Sequence, residues 1–293
     1  MGNGDDELQN IIIPTINDSR EDFFTLFKIF QQIRGINNNV RLDFSKCNYL
    51  RPNAVAFLGG LARWMEFHGK ITSFAWPTSK NKLMQQLKQN GFLRLFNPDI
   101  NEIGEHAIPY REDIKPDSTS IMNYLTYSWI GKGWIKVSIK LRDAIAGYIW
   151  EIYTNSFEHS KTPIGVFSCG QHYEKDNSIV LAVIDFGKGI PVTVKEFLNS
   201  NTTINDNYYL EKAFAPGFTT RTGMPGGLGL DILKQFIQLN KGKLEIYSNY
   251  AYSIIDENGQ NFLTNKYGFS GTIIYITLRC DESRYQFIDE IKY

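Results

Sequence analysis

Ile179-Val-Leu-Ala-Val-Ile184 runs without a polar residue into Asp185-Phe-Gly187-Lys-Gly189. An apolar run of this length predicts a strand buried on both faces, in a sheet that other elements cover. Asp185 leaves that strand partly buried and needs a partner, for which the exocyclic amine of an adenine is one suitable donor. Gly187 and Gly189 would let backbone approach a base without Cβ clashes. An ordinary Asp-Gly turn is the plain alternative. The dinucleotide fingerprint does not fit, because it needs a third glycine where Val192 stands. A Walker loop is absent from the chain.

On the N-terminal side of this strand a long helix is predicted, with Leu141, Ile145, Tyr148, Ile149 and Ile152 on one face. Glu151, Asn155 and His159 follow one another at four-residue intervals, so they form a polar line beside the apolar stripe. The amide oxygen of Asn155 is a hard ligand suited to Mg²⁺ that takes its other ligands from water and phosphate. Glu151, one turn earlier, is placed to hold or deprotonate a group attacking a terminal phosphate. A solvated helix face is the bland alternative.

On the C-terminal side, Ala215-Pro-Gly217-Phe-Thr219-Thr220-Arg221 precedes Met224-Pro-Gly226-Gly227-Leu228-Gly229, which opens a predicted helix reaching Leu239. Glycines at a helix start expose backbone N–H groups at the positive end of the dipole, so this is a candidate anion site. The hydroxyls of Thr219 and Thr220 and the Arg221 guanidinium would add to phosphate binding. A mobile surface loop is the alternative. Further strands are expected at Ile164–Ser168, Lys243–Ser248 and Thr272–Leu278.

The first half alternates strands (Asn10–Ile13, Val40–Phe44, Lys70–Trp76) with helices (Phe23–Ile33, Ala54–Phe67 and one carrying Leu83 and Leu87), which implies a helix-covered sheet. Gly69 and Gly91 end two of those helices. From Asn97 to Ser118 the periodicity lapses among Pro98, Pro109 and Pro116, as in a linker. The chain is an α/β protein of α+β character.

Composition narrows the function classes. Lys plus Arg and Asp plus Glu number 31 each among 293 residues, so no global field recruits nucleic acid or an anionic membrane. No apolar run approaches the roughly 20 residues of a membrane span, and the acidic start with Asp5, Asp6 and Glu7 is unlike a secretory signal. A soluble cytoplasmic protein is expected. Cys47, Cys169 and Cys280 are scattered and odd in number, which fits reduced thiols. Cys169-Gly-Gln-His172 offers two ligands without a second pair, too few for a zinc site.

The ordered set Glu151-x-x-x-Asn155, Asp185-x-Gly187-x-Gly189, a variable lid and Gly227-Leu228-Gly229 resembles the Bergerat-fold superfamily of gyrase B, the mismatch-repair ATPases and histidine kinases, over about Lys136 to Leu278. With His159 closing the first motif, it is most similar to the anti-sigma-factor serine kinases. The resemblance implies an α/β sandwich with a mixed sheet, binding ATP and Mg²⁺. It implies Asn155 as the Mg²⁺ ligand, Glu151 as catalytic base and Asp185 as adenine acceptor, with Thr272 helping through water. Gly187, Gly189, Gly226, Gly227 and Gly229 would shape the pocket, and His159 would border it. The first half resembles a STAS domain, through Leu42-Asp-Phe-Ser45, five residues, then Arg51-Pro-Asn53-Ala54-Val-Ala-Phe-Leu58. The serine phosphorylated in that family falls at Asn53, which has no hydroxyl.

These expectations divide the chain into a STAS-like domain (1–98), a linker (99–118), a histidine-kinase-like ATP-binding domain (119–283) and a C-terminal tail (284–293). They imply an ATP-dependent regulatory protein that hydrolyses ATP slowly or transfers phosphate. The alternatives are a serine/threonine kinase of a separate STAS-type or sigma-factor-like partner, and a non-enzymatic ATP-switched interaction protein. The resemblance also implies homodimerisation. Sensor-kinase and DNA-topology roles fit less well, since neither His68 nor His106 lies in a phosphoacceptor helix and no transducer domain is recognisable.

Overall fold

A computed structural model describes residues 8–78, 81–100, 102–158, 161–200, 204–215, 218 and 228–291. In chain order the elements are β1 (Gln9–Ile12), α1 (Arg20–Arg34), β2 (Val40–Asp43), α2 (Pro52–Phe67), β3 (Thr72–Ala75), α3 (Lys82–Gln89), β4 (Ala107–Asp113) and α4 (Ser118–Asn123). They continue with β5 (Lys136–Val137), α5 (Ile139–Glu158), β6 (Val166–Tyr173), β7 (Ser178–Asp185), α6 (Ile190–Phe197), α7 (Asp206–Ala213), α8 (Leu228–Leu239), β8 (Lys243–Asp256), β9 (Gly259–Arg279) and β10 (Arg284–Tyr285).

Local chemistry starts and stops these elements. Ser19 and Asp22 form a capping box at the start of α1. Pro52 occupies the first turn of α2, where its missing N–H costs nothing, and Gly69 takes φ +71° just beyond its end. The strands β1, β2 and β3 pair in parallel in that order. The larger sheet, in order β4-β6-β7-β9-β8, is antiparallel at every pairing. The α/β layering is as expected, but parallel and antiparallel pairs are segregated rather than mixed in one sheet. Among the described residues the other parallel pair is β10 with β5.

Alternation along β7 shows how the layers are built. Ile179, Leu181 and Val183 join a core with α5 and α8, whereas Val180, Ala182 and Ile184 join a core with α1 and α2. The larger sheet is thus sandwiched between α1/α2 and α5/α8, with the small parallel sheet beyond α1/α2. Consecutive side chains of a strand point to opposite faces, so one strand serves both cores.

Helix α2 lies very close to the sheet. A Cβ on Gly59 would stand 2.0 Å from the Tyr110 hydroxyl, and one on Gly60 would stand 2.3 Å from Phe186 Cε2 and 2.8 Å from Phe167 Cδ2. A glycine inside a helix costs about 1 kcal/mol relative to alanine, and the close approach accounts for two in succession. Tyr110 cannot swing aside freely, since its buried hydroxyl donates to Glu112 Oε1 at 2.8 Å and Glu112 accepts from Arg63 Nε at 2.9 Å.

A second tie between the halves is polar. The Arg51 guanidinium lies 3.8 Å over the Tyr173 ring and reaches Asp176 at 3.4 Å and Asp18 at 3.9 Å. Asp18 in turn accepts from the Tyr275 hydroxyl at 2.9 Å.

Three features depart from the sequence-based expectations. The stretch 99–118 contains β4, an edge strand interrupted by an irregularity between Ile108 and Arg111. Pro109 within it obscures the alternation, as a proline tolerated at a sheet edge does. The tail beyond residue 283 is tied down: Ser138 N–H donates to Tyr285 O, and Ser138 Oγ donates to Glu290 Oε2 at 2.7 Å. Finally, β8 and β9 run well beyond Ser248 and Thr272 as a hairpin arm. Arg20 and Gln31 of α1 donate to its Thr264 and Gly268 carbonyls, and Asp206 of α7 accepts from Tyr250 N–H.

The thiols are free, with Cys47 and Cys169 buried. Cys169 packs in the α1/α2 core whereas His172 stacks on Trp134 beside the α5 core, so the two lie on opposite faces of β6. Burial pushes the Cys47 and Cys280 thiols up to about 11 and Cys169 further still. Native protein at pH 8 is therefore expected to react with iodoacetamide about a hundredfold more slowly than a peptide cysteine. Mass spectrometry checks this, and full labelling within minutes would contradict it.

Candidate active site

The odd-numbered face of β7 continues to Asp185, which is 2% exposed. Its Oδ2 accepts from Ser156 Oγ at 3.0 Å, and its Oδ1 accepts from Gly187 N–H at 2.9 Å. The carboxylate is thereby held from α5 on one side and by its own turn on the other. Thr272 pairs directly with Asp185 across the β7–β9 ladder and is itself 5% exposed. Its Oγ1 lies 3.1 Å from Ser248 Oγ, which donates to Gly271 O.

Beyond Asp185 the turn is fastened to β8. Ile190 N–H donates to Ser248 Oγ at 2.8 Å, and Asn249 Nδ2 donates to Lys188 O at 3.1 Å. Gly189 sits at φ +83°, ψ 158°, where a Cβ would meet Asn249 Oδ1 at 2.3 Å. That backbone region is essentially restricted to glycine. Gly189→Ala is expected to cost about 1–3 kcal/mol of stability, measured by denaturant unfolding. An unchanged midpoint would mean that the turn relaxes without strain.

Helix α5 presents Glu151 and Asn155 on its exposed side, one turn apart, while Ile149, Ile152 and Tyr153 are buried. Tyr148, one turn before Glu151, has its phenol pushed up by partial burial and then by the Glu151 charge. Ser156, adjacent to Asn155, turns inward to Asp185. The polar line on α5 and the end of β7 therefore meet through one residue step. Helix α8 starts at Leu228, and the backbone of Gly229 lies in its first turn. His159, Thr219, Thr220, Arg221, Gly226 and Gly227 lie outside the described residues.

Ser156, Ser248 and Asn249 belong to this arrangement although the sequence did not single them out. A signal existed for Gly271, which precedes Thr272 and takes φ +138°, where a Cβ would stand 2.2 Å from Asp185 O. Ser248 and Asn249 carry no pattern of their own, because they act from a strand remote in sequence.

Comparison with known proteins bears on the same segment. Residues 141–282 match the family of histidine kinase-, DNA gyrase B-, and HSP90-like ATPases. This segment is similar to ATPase domains of the GHKL type, and it spans nearly all of α5 together with β7, the Asp185 turn, α8 and the β8–β9 pair. No curated protein matches the chain significantly. Among the described residues, no helix is long and apolar enough to cross a membrane.

Proposed function

We propose that the GHKL domain binds ATP with Mg²⁺ and turns it over slowly, as the nucleotide-dependent part of a regulatory protein. The observation that carries this reading is the buried Asp185 carboxylate, fixed by Ser156 and Gly187 N–H on the face shared with Thr272 and α5. A buried carboxylate is an acceptor suited to the exocyclic amine of adenine and rejects a base that presents a carbonyl there. Thr272 would assist through water.

The donor set on α5 fits a magnesium nucleotide. Asn155 supplies a neutral oxygen from an exposed position, which leaves room for water and phosphate ligands. Bound Mg²⁺ would neutralise phosphate charge. Glu151, one turn away, would accept the proton of the attacking hydroxyl or water. Thr219, Thr220, Arg221, Gly226, Gly227, Leu228 and Gly229 would enclose the phosphates at the start of α8, and His159 would border the site.

A second reading is phosphoryl transfer to a separate STAS-type partner. Asn53 favours an external acceptor: it is fully buried at the start of α2, and its Nδ2 donates to Asn17 O at 3.0 Å. The position aligned with that family's phosphoserine is thus neither a hydroxyl nor accessible, and the STAS-like half would act as a docking or regulatory layer. Incubation with terminally labelled ATP, with and without EDTA, separates the readings. Free labelled phosphate supports hydrolysis, and label on an added protein supports a kinase. ATP that stays bound and intact supports a non-enzymatic switch, whereas no binding at all defeats the nucleotide reading.

A further inference from the structure

Asp185 and Phe186 are consecutive but serve opposite layers. Asp185 faces α5, whereas Phe186, 5% exposed, is buried in the core shared with α1 and α2. Its ring lies 5.7 Å from Phe30 of α1, 5.4 Å from Phe57 of α2, 5.1 Å from Phe269 of β9 and 5.9 Å from Phe167 of β6, centroid to centroid. The Phe186 ring also rests against the backbone at Gly60, closely enough that a Cβ there would overlap it at 2.3 Å. From β9, Gly271 approaches Asp185 O so closely that a Cβ would stand 2.2 Å away, and 2.8 Å from the Phe269 ring. The peptide carrying Asp185 is therefore clamped between β9 and the N-terminal helices, and packed rings of this density shift as a unit rather than yield locally.

We propose that Phe186 is a positioning residue for the nucleotide site: it transmits the seating of α2 on the sheet to the Asp185 carboxylate, so that the N-terminal half sets adenine recognition. The proposal rests on the reading of Asp185 as the adenine acceptor. Because the rings of Phe30, Phe57, Phe167 and Phe269 limit rotation of the Phe186 side chain, displacement of its ring is passed to the adjoining Asp185 peptide, while Ser156 and Gly187 define where the carboxylate has to sit. The N-terminal layer is then a built-in determinant of nucleotide affinity and selectivity. A partner that loosens or tightens α2 would regulate the site without touching it.

The test uses the full chain and measures the dissociation constants of ATP and GTP together with the melting temperature. Gly60→Ala adds a methyl against the Phe186 ring and is expected to weaken ATP binding by about tenfold while GTP binding changes little, so that adenine preference falls. Phe186→Leu in the same chain removes ring atoms at the point of overlap and is expected to restore the preference to within about threefold, the signature of coupled neighbours. Phe57→Leu, a milder change on the same contact, decides the matter should Gly60→Ala fail to fold. A purely structural role would lower the melting temperature and leave the ATP-to-GTP ratio of folded protein unchanged, and that result in the folded variants overturns the proposal. Wild-type protein that does not bind ATP, or that binds it as well with Asp185→Asn, defeats the site assignment and the proposal with it. Wild-type binding that is sensitive to Asp185→Asn but indifferent to Gly60→Ala and Phe57→Leu defeats the coupling alone.

Discussion

Asp185→Asn is expected to weaken ATP binding by about 100-fold, equivalent to ~3 kcal/mol, with little loss of fold. The carboxylate accepts from Ser156 Oγ on one oxygen and from Gly187 N–H on the other, and it is almost wholly buried. An asparagine of the same shape keeps one acceptor oxygen and presents an NH₂ on the other. With the amide oxygen on the Gly187 N–H, the NH₂ donates to Ser156 Oγ, whose hydroxyl donates to Ile152 O at 3.2 Å, so the local bonds are kept while the adenine amine loses a charged acceptor. Hydrogen bonds to charged groups contribute about 1.5–3 kcal/mol, and the NH₂ that replaces a carboxylate oxygen repels the adenine amine. Isothermal titration with ATP checks the result. Binding within threefold of wild type would remove Asp185 from the site.

Glu151→Gln is expected to do the opposite in kind: turnover should fall by about 10²–10⁴-fold while ATP affinity stays within about threefold. Glu151 is exposed on α5 one turn before Asn155, so the substitution leaves no cavity and no buried group unpaired. General-base assistance would be lost because an amide does not accept the proton, whereas the contacts proposed to hold adenine lie at Asp185 and Thr272. Single-turnover release of labelled phosphate and equilibrium binding, measured on the same preparation, separate the two effects. Equal turnover in both proteins would assign the base elsewhere and would agree with the non-enzymatic reading.

The contrast between these two residues shows what could be read in advance. Glu151 and Asn155 follow from helical spacing, and Asp185 follows from its place after an apolar strand, because these are short-range regularities in which residue order carries the geometry. The surroundings of Asp185 are different. Ser156 was masked by its two conspicuous neighbours on α5, and its inward direction depends on how α5 rotates against β7. Ser248 and Asn249 hold the Gly189 turn from a strand some sixty residues away, and no local pattern marks a hydroxyl that will accept from Ile190 N–H.

The same limit applies to the relation between the two halves. Alternating strands and helices in the first half, and the ordered motifs in the second, suggested two units joined by a linker. The supposed linker instead contributes β4 to the main sheet. The helices of the first half close the face that β7 presents through Val180, Ala182 and Ile184. One indication lay in the open: Gly59 and Gly60 stand side by side within a helix, where each is unfavourable unless another surface comes very near. That surface was identifiable only once Tyr110, Phe167 and Phe186 were seen against it.

By itself, then, the sequence determined most of the core strands and helices, the burial of β7 on both faces and the order of the candidate nucleotide motifs, since each of these depends on residues within a turn or two of one another. The tertiary structure alone decided that Asp185 is held by Ser156, that its neighbour Phe186 belongs to the N-terminal core, and that the two halves share that core. Such contacts arise where strand alternation sends adjacent side chains to opposite layers. What occupies each layer is decided by packing between segments far apart in the chain.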